Sequence, residues 1–200
     1  MKIGVVDYSA GNLKSVETAL RYLQTELSIS ADPDELLRAD KLIFPGVGEA
    51  ASAMQSLRKV GLDQAILEFV ESGKYFLGLC LGCQIILEKS EEREAGCLGL
   101  IRGTVKRFDT YPGLKVPHMG WNQAEVKDNT LFKGIPEGSS FYFVHSYYPS
   151  LAHEDEEMCR TEYGIEFSSG LHRDNIFAVQ FHPEKSGRYG LKLLENFLAL

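Results

Sequence analysis

The chain is poor in cysteine, holds one tryptophan, has no excess of basic residues and contains no long apolar run; each shortage removes a class of function. Four cysteines, at positions 80, 83, 97 and 159, form no regular disulfide framework, and 200 residues can bury a full core without one. A reducing cytoplasm is the expected compartment. Lys and Arg number 21 against 28 Asp and Glu, a formal charge of -7, which argues against nucleic acid or an anionic membrane surface as the main partner. No stretch approaches the roughly 18 consecutive apolar residues of a membrane span. The opening run Met1-Lys2-Ile3-Gly4-Val5-Val6-Asp7 is too short for a secretory signal and reads as a strand. The five histidines are scattered, with neither His-Glu-x-x-His nor paired Cys-x-x-Cys spacing, so no metal site and no cofactor are expected.

The remaining composition is that of an ordinary globular protein, 44% hydrophobic and 24% charged, and the length predicts one domain over residues 1–200. The first half alternates strand and helix. Ile3 to Val6 is a near-continuous apolar run, as in a strand buried on both faces. Asn12 is positioned as the N-cap of a helix carrying Leu13, Val16, Leu20 and Leu23 at helical spacing. Lys41-Leu42-Ile43-Phe44 is the next clear strand, stopped by Pro45-Gly46. Helices are expected over 50–59 and 62–72, separated by Gly61 and closed by Gly73, before a strand that runs into Cys80. This rhythm predicts an α/β fold: a mostly parallel, doubly wound central sheet with helices on both faces and a site at the carboxyl ends of its strands. The C-terminal half adds an antiparallel β region. Gly103 to Phe108, Ser140 to His145 and the segments near 158–181 are β-branched or aromatic, and Gly164 and Ser169-Gly170 suggest hairpins. An amphipathic helix over Tyr189–Leu200 closes the chain, and the acidic cluster Glu154-Asp155-Glu156-Glu157 reads as a solvated loop.

Chemistry concentrates at Gly78-Leu79-Cys80-Leu81-Gly82. An apolar strand, a cysteine between glycines at −2 and +2, and an amphipathic segment after it describe a nucleophile elbow with sulfur in place of oxygen. A hundred residues later, Phe181-His182-Pro183-Glu184 follows the expected strand Ile176-Phe177-Ala178-Val179-Gln180. Glu184 can orient one imidazole nitrogen while the other takes the Cys80 proton. The order Cys…His…Glu differs from that of an α/β-hydrolase, whose acid precedes its histidine. Pro45-Gly46-Val47-Gly48 should lie beside the Cys80 turn and, with the N–H of Leu81, suits an oxyanion hole.

These three segments together, with Cys83 and Gln84 after the elbow and Lys185-Ser186 after the histidine, resemble the class I, or triad, glutamine amidotransferases over essentially the whole chain. Asp7-Tyr8-Ser9-Ala10-Gly11-Asn12-Leu13 and Val116-Pro117-His118-Met119-Gly120-Trp121-Asn122 look like signatures of the glutaminase subunits of imidazole glycerol phosphate synthase. The resemblance implies that Cys80 forms a glutamyl thioester with L-glutamine, with His182 as base and then acid and Glu184 as its orienter. It implies backbone from Gly46, Val47 and Leu81 at the oxyanion hole, and substrate contacts from Gln84, Glu92, His145, Ser146 and Tyr147. His145 is expected in the substrate pocket or as a structural histidine rather than as a second base. No synthase module fits within these residues, so the implied partner is a separate (β/α)₈-barrel cyclase subunit in a heterodimer, with Met119, Trp121 and Lys185 as docking residues.

Two departures stand out. Position 83, usually methionine in that family, is cysteine, and Ser9-Ala10 replaces a glycine-richer loop. Cys80-Leu81-Gly82-Cys83 could be read as a redox motif, but the glycine spacing, Gln84 and His182-Pro183-Glu184 would then have no role. Cys83 is expected as a small buried hydrophobe. A glutaminase for a different synthase, another cysteine hydrolase and a silent binding module are the rival readings. The Trp121 segment, Gln84 and the intact Cys-His-Glu set count against them in that order.

Overall fold

The apolar runs of the first half become a parallel sheet. The computed structural model describes residues 1–9, 13–110, 113–127 and 130–200. In chain order, β1 (Lys2–Val6), α1 (Leu13–Tyr22), β2 (Glu26–Ser30), α2 (Pro33–Leu37), β3 (Lys41–Phe44), α3 (Ala50–Val60), α4 (Leu62–Glu71), β4 (Phe76–Leu79) and α5 (Leu81–Ile85) form the first half. The second half contributes β5 (Lys89–Ser90), β6 (Ala95–Gly96), β7 (Gly103–Arg107), β8 (His118–Gln123), β9 (Glu125–Val126), β10 (Ser140–His145) and β11 (Tyr147–Leu151). It ends with β12 (Glu157–Glu162), β13 (Glu166–Arg173), β14 (Ile176–Val179) and α6 (Gly187–Ala199).

The main sheet has eight strands in the order β2-β1-β3-β4-β14-β13-β12-β9. The first five run parallel and the remaining three are added antiparallel. β8 and β10 pair as an antiparallel ribbon, and β11-β7-β5-β6 form a third, four-stranded sheet. The placement of β14 matters most for function. It lies directly beside β4, with Val179 opposite Leu79, so the strand leading to His182 ends next to the one leading to Cys80.

Side chains alternate across the sheet with the period of two that strand geometry demands. Leu42, Phe44, Phe76, Ile176 and Ala178 pack with α2, α3, α4 and α5 on one face. Ile3, Val5, Ile43, Leu77, Leu79, Phe177 and Val179 pack with α1, α6 and β10 on the other. Both faces are therefore covered, which is why these strands are continuously apolar. At the far end of this layer, Lys41 sends its Nζ to the carbonyls of Phe197 (3.0 Å) and Leu198 (2.7 Å), closing the C-terminus of α6.

Several sequence expectations need correction. β2 and α2 fall between the first two expected strands. β2 is an edge strand whose mixed, half-exposed residues carry little apolar signal, whereas α2 bears an explicit start signal. Asp32 caps it by accepting from the N–H of Asp34 at 2.9 Å, and Pro33 occupies its first position. Ser169-Gly170 is strand interior, not a turn. Gly170 is required because a Cβ there would sit 2.5 Å from the Cys159 sulfur. The β13–β14 turn is instead made by Asp174, at φ 52°, and Asn175, residue types that tolerate the left-handed region. The acidic cluster is not wholly solvated either. The Glu157 side chain is 7% exposed and pairs with Lys127 at 2.8 Å and Arg160 at 2.7 Å. Burial pushes its carboxyl up, but hydrogen bonds from Lys127, Ser168 and Arg160 outweigh that and leave it below the ordinary value. Asn12 lies outside the described residues.

Helix α6 is pressed onto the turn that follows His182. A Cβ on Gly190 would lie 1.9 Å from the Pro183 carbonyl oxygen. Because the obstacle is backbone, it cannot rotate away. Gly190→Ala should therefore lower stability by about 1–3 kcal/mol, measured as a reduced urea midpoint, and should displace the segment that carries the histidine.

Candidate active site

The elbow is built as its glycines require. Cys80 sits at φ 48° and ψ −98°, a conformation costly for a residue with a Cβ. A Cβ on Gly78 would meet Gly82 backbone at 2.7 Å, and one on Gly82 would meet the Phe44 carbonyl at 2.5 Å. The loop after β3 docks against the same turn, since a Cβ on Gly46 would lie 2.3 Å from the Leu79 carbonyl and 2.4 Å from the Leu81 nitrogen. The Cys80 amide remains tied to the sheet through the Val179 carbonyl at 2.8 Å. Leu81 opens α5, and the first N–H groups of a helix have no intrahelical acceptor. The helix spans only Leu81–Ile85, so its contribution rests on these local N–H groups.

Behind the elbow, His182 Nδ1 is 2.8 Å from Glu184 Oε1, with the two side chains 1% and 5% exposed. Among the described residues its buried Nε2 has no partner of full hydrogen-bond geometry, and it is left for chemistry. Burial alone would lower the histidine pKa. The charge of the adjacent Cys80 and then that of Glu184 outweigh burial and raise it from 6.5 to about 10. The raised value favours the imidazolium form of His182 beside the sulfur.

A cavity of ≈ 340 Å³ opens over Cys80. Of the expected site residues, Gly46, Val47, Cys80, Leu81, Gln84, Glu92, His145, Ser146, Tyr147 and His182 all line it, while Glu184 stands behind His182. Gly48, Pro117 and Val144 complete the wall, two of them next to residues already singled out. A larger cleft of ≈ 610 Å³ beside β8, β9 and β12 is lined by Gln123, Arg160 and Glu162 among others and holds no cysteine or histidine.

Polar contacts fix several roles within the wall. Gln84 donates through Nε2 to the Tyr147 carbonyl (2.9 Å) and to Gln180 Oε1 (3.0 Å), so its Oε1 is the end free to face a ligand. Glu92 accepts from the first N–H of α3, at Ala50, over 2.6 Å, and burial pushes its carboxyl upward. His145 Nδ1 lies 2.7 Å from the Tyr147 carbonyl and must donate to it. Its Nε2 then accepts from His118 Nδ1 at 2.9 Å. Both nitrogens are occupied and burial lowers the pKa to about 3, so His145 is a neutral structural histidine here.

Two residues that the sequence did not single out touch the machinery. Tyr8, stacked on Phe44 with ring centroids 4.8 Å apart, donates its hydroxyl to the Val47 carbonyl at 2.8 Å. It also accepts the Val47 N–H at 3.2 Å. In this geometry the Val47 amide serves Tyr8, and it must exchange partners before it can serve an oxyanion. Gln180 lies against the Cys80 sulfur. Cys83 is fully buried, and desolvation pushes its thiol well above the ordinary range, as expected of a packing residue.

Two of the three docking candidates stand together on the β8–β10 ribbon. Met119 and Trp121, 61% and 60% exposed, share a face of β8. Their partners on β10 are Val144 and Tyr142. The Tyr142 carbonyl accepts the His182 N–H at 2.9 Å, so the exposed ribbon is hydrogen-bonded to the triad backbone. Lys185 is part of the same turn as Glu184.

A strained cysteine, a buried His–carboxylate pair and a glycine loop at the carboxyl ends of parallel strands define a cysteine acyl-transfer enzyme on a doubly wound sheet. The model of the class-I glutamine amidotransferases matches residues 4–200. Imidazole glycerol phosphate synthase subunit HisH of Herpetosiphon aurantiacus is 49% identical over 201 residues, covering 99% of this chain and 94% of that protein. The HisH subunit of Methanocaldococcus jannaschii is 48% identical over 200 residues, covering 99% of each. Among solved structures, PurLQS from Thermotoga maritima superposes with a TM-score of 0.75 at 21% identity, over 99% of this chain and 97% of that one, a likeness of fold. The chain belongs to the class-I glutamine amidotransferase family, and within it to the HisH subunits of imidazole glycerol phosphate synthase.

Proposed function

We propose that this chain, as the glutaminase subunit of imidazole glycerol phosphate synthase in L-histidine biosynthesis, hydrolyses L-glutamine at Cys80 and hands the ammonia to a separate cyclase subunit. The observation that carries the proposal is Cys80 on its strained turn, beneath a cavity of ≈ 340 Å³ and beside a buried His182–Glu184 pair. The Cys80 thiolate attacks the side-chain amide carbon, and the carbonyl electrons move onto oxygen. The C–N bond then breaks, the nitrogen takes a proton from the His182 imidazolium, and ammonia leaves a glutamyl thioester. Water attacks the thioester carbon and gives a proton to neutral His182. Cleavage of the C–S bond releases glutamate and restores the thiolate. Glu184 holds the imidazole in register throughout.

Leu81 N–H and backbone of the Gly46-Val47 segment are the oxyanion donors. Gln84, Glu92, His145, Ser146 and Tyr147 form the wall that receives the amino-acid end of glutamine. Met119, Trp121 and Lys185 face the cyclase, a (β/α)₈ barrel that converts a phosphoribulosyl precursor and ammonia to imidazole glycerol phosphate and aminoimidazole carboxamide ribotide. Exposed Met and aromatic side chains suit the centre of such an interface.

The decisive experiment is a glutaminase assay on the purified chain with and without the cyclase and its nucleotide ligand. Strong stimulation is expected, and a lone chain already at full turnover would count against the cyclase as partner. The Tyr8 contact predicts part of the difference. Tyr8→Phe frees the Val47 N–H from a hydrogen bond worth about 1 kcal/mol. It should raise turnover of the isolated chain by about fivefold, read as glutamate released per minute.

A further inference from the structure

We infer that Gln180 is a catalytic residue, whose side-chain amide stabilises the Cys80 sulfur as a thiolate and receives its charge again when the thioester is cleaved. The inference rests on Cys80 being the nucleophile.

Gln180 is fully buried directly after β14. Its N–H bonds to the Ser169 carbonyl at 2.9 Å, which prolongs the β13–β14 ladder and fixes the backbone. Residues alternate along an extended chain, so Gln180 and His182 leave the strand on the same side, two positions apart. One strand end thus brings two groups to the sulfur. His182 lies to one side, and Gln180 Nε2 lies 3.6 Å from Sγ.

The orientation of the amide follows from its partners. The Tyr147 carbonyl can only accept, so the group that Gln84 turns toward it must be Nε2. The second hydrogen of that nitrogen points to Gln180, which must answer with Oε1, 3.0 Å away. Gln180 therefore has no choice but to present its NH₂ to Cys80. A buried amide is costly unless both ends are satisfied. Here the carbonyl end is held by Gln84, and the donor end is spent on the sulfur.

An N–H aimed at sulfur favours the charged form, because a thiolate accepts a hydrogen bond far better than a thiol or a thioester does. The same donor assists the second half-reaction. As the C–S bond breaks, negative charge returns to Sγ opposite an N–H already in place, and no proton is transferred from Gln180.

The test is the pH profile of Cys80 alkylation by iodoacetamide, read on the Cys80 peptide by mass spectrometry in the wild type, Gln180→Leu and Gln180→Glu. The midpoint belongs to the Cys80–His182 pair. Gln180→Leu should move it upward by about one pH unit and slow alkylation at pH 7 by about tenfold. Gln180→Glu keeps the shape and the bond from Gln84 but sets a carboxylate oxygen against the sulfur. It should move the midpoint further up, and it serves alone if the leucine variant does not fold. A Gln180→Glu profile superimposable on the wild type, or shifted to lower pH, overturns the inference. So does an unshifted profile in a folded Gln180→Leu variant, since a packing role changes stability without moving this midpoint. Failure of the underlying reading looks different: Cys80→Ala would still release ammonia, whatever the alkylation profiles show.

Discussion

Cys80→Ala should abolish ammonia release from L-glutamine, a fall of at least about 10⁴-fold, while leaving the fold and cyclase binding intact. The expected size of the effect follows from the chemistry. Without sulfur there is no thioester, and the remaining groups cannot divide amide hydrolysis into two easier steps. His182, Glu184 and the backbone donors stay in place but have no attacking atom to serve. Stability should change little, because the deleted atom borders a cavity and alanine preserves the backbone. The strained conformation at φ 48° is imposed by the packing of Gly46, Gly78 and Gly82, not by the sulfur. Three readings decide the matter. A coupled glutamate assay should give no turnover, circular dichroism should match the wild type, and size-exclusion chromatography should recover the cyclase complex. In that complex, added ammonium salt should restore product formation, which separates loss of the nucleophile from loss of assembly. Retained glutaminase turnover in Cys80→Ala would refute the mechanism.

Local pattern made the elbow and the histidine turn legible, because both are written in contiguous residues. Glycines at 78 and 82 announce a turn that no Cβ can enter, and the apolar runs ending at Leu79 and Val179 announce strands buried on both faces. The family resemblance added wall residues such as Glu92 and His145, which no local spacing marks. What stayed hidden depends on contacts between distant segments. Tyr8 lies 39 positions from Val47, and Gln180 lies 100 from Cys80, so neither pairing has a sequence period to betray it. Glu157 was hidden for a related reason. An acidic run looks solvated until β12 folds between β9 and β13 and Lys127, Arg160 and Ser168 surround one member. β2 was missed because an edge strand needs only one buried side, and its residues advertise little. α2 is a different case, since Asp32-Pro33 was a readable start signal.

Glu184→Gln should cut kcat/KM by about 10²–10⁴-fold and move the alkaline limit of activity to lower pH. The substitution keeps an acceptor 2.8 Å from His182 Nδ1 but removes its charge. Burial already pulls the His182 pKa down. The thiolate and the Glu184 carboxylate together carry it up from 6.5 to about 10, so loss of one charge must lower it. The imidazolium that protonates departing ammonia then persists over a narrower range. The same shift appears in stability, and its sign is fixed by linkage. A group whose pKa is raised on folding binds its proton more tightly in the folded state. His182 therefore stabilises the wild type fully below about pH 6.5, and this contribution declines as pH rises towards about 10. In Glu184→Gln the decline should end earlier, so urea midpoints of wild type and variant should differ most at acidic to neutral pH and converge as the solution becomes alkaline. Parallel midpoint curves across that range, with an unshifted alkaline limb in the rate profile, would show that Glu184 positions the imidazole without holding its charge.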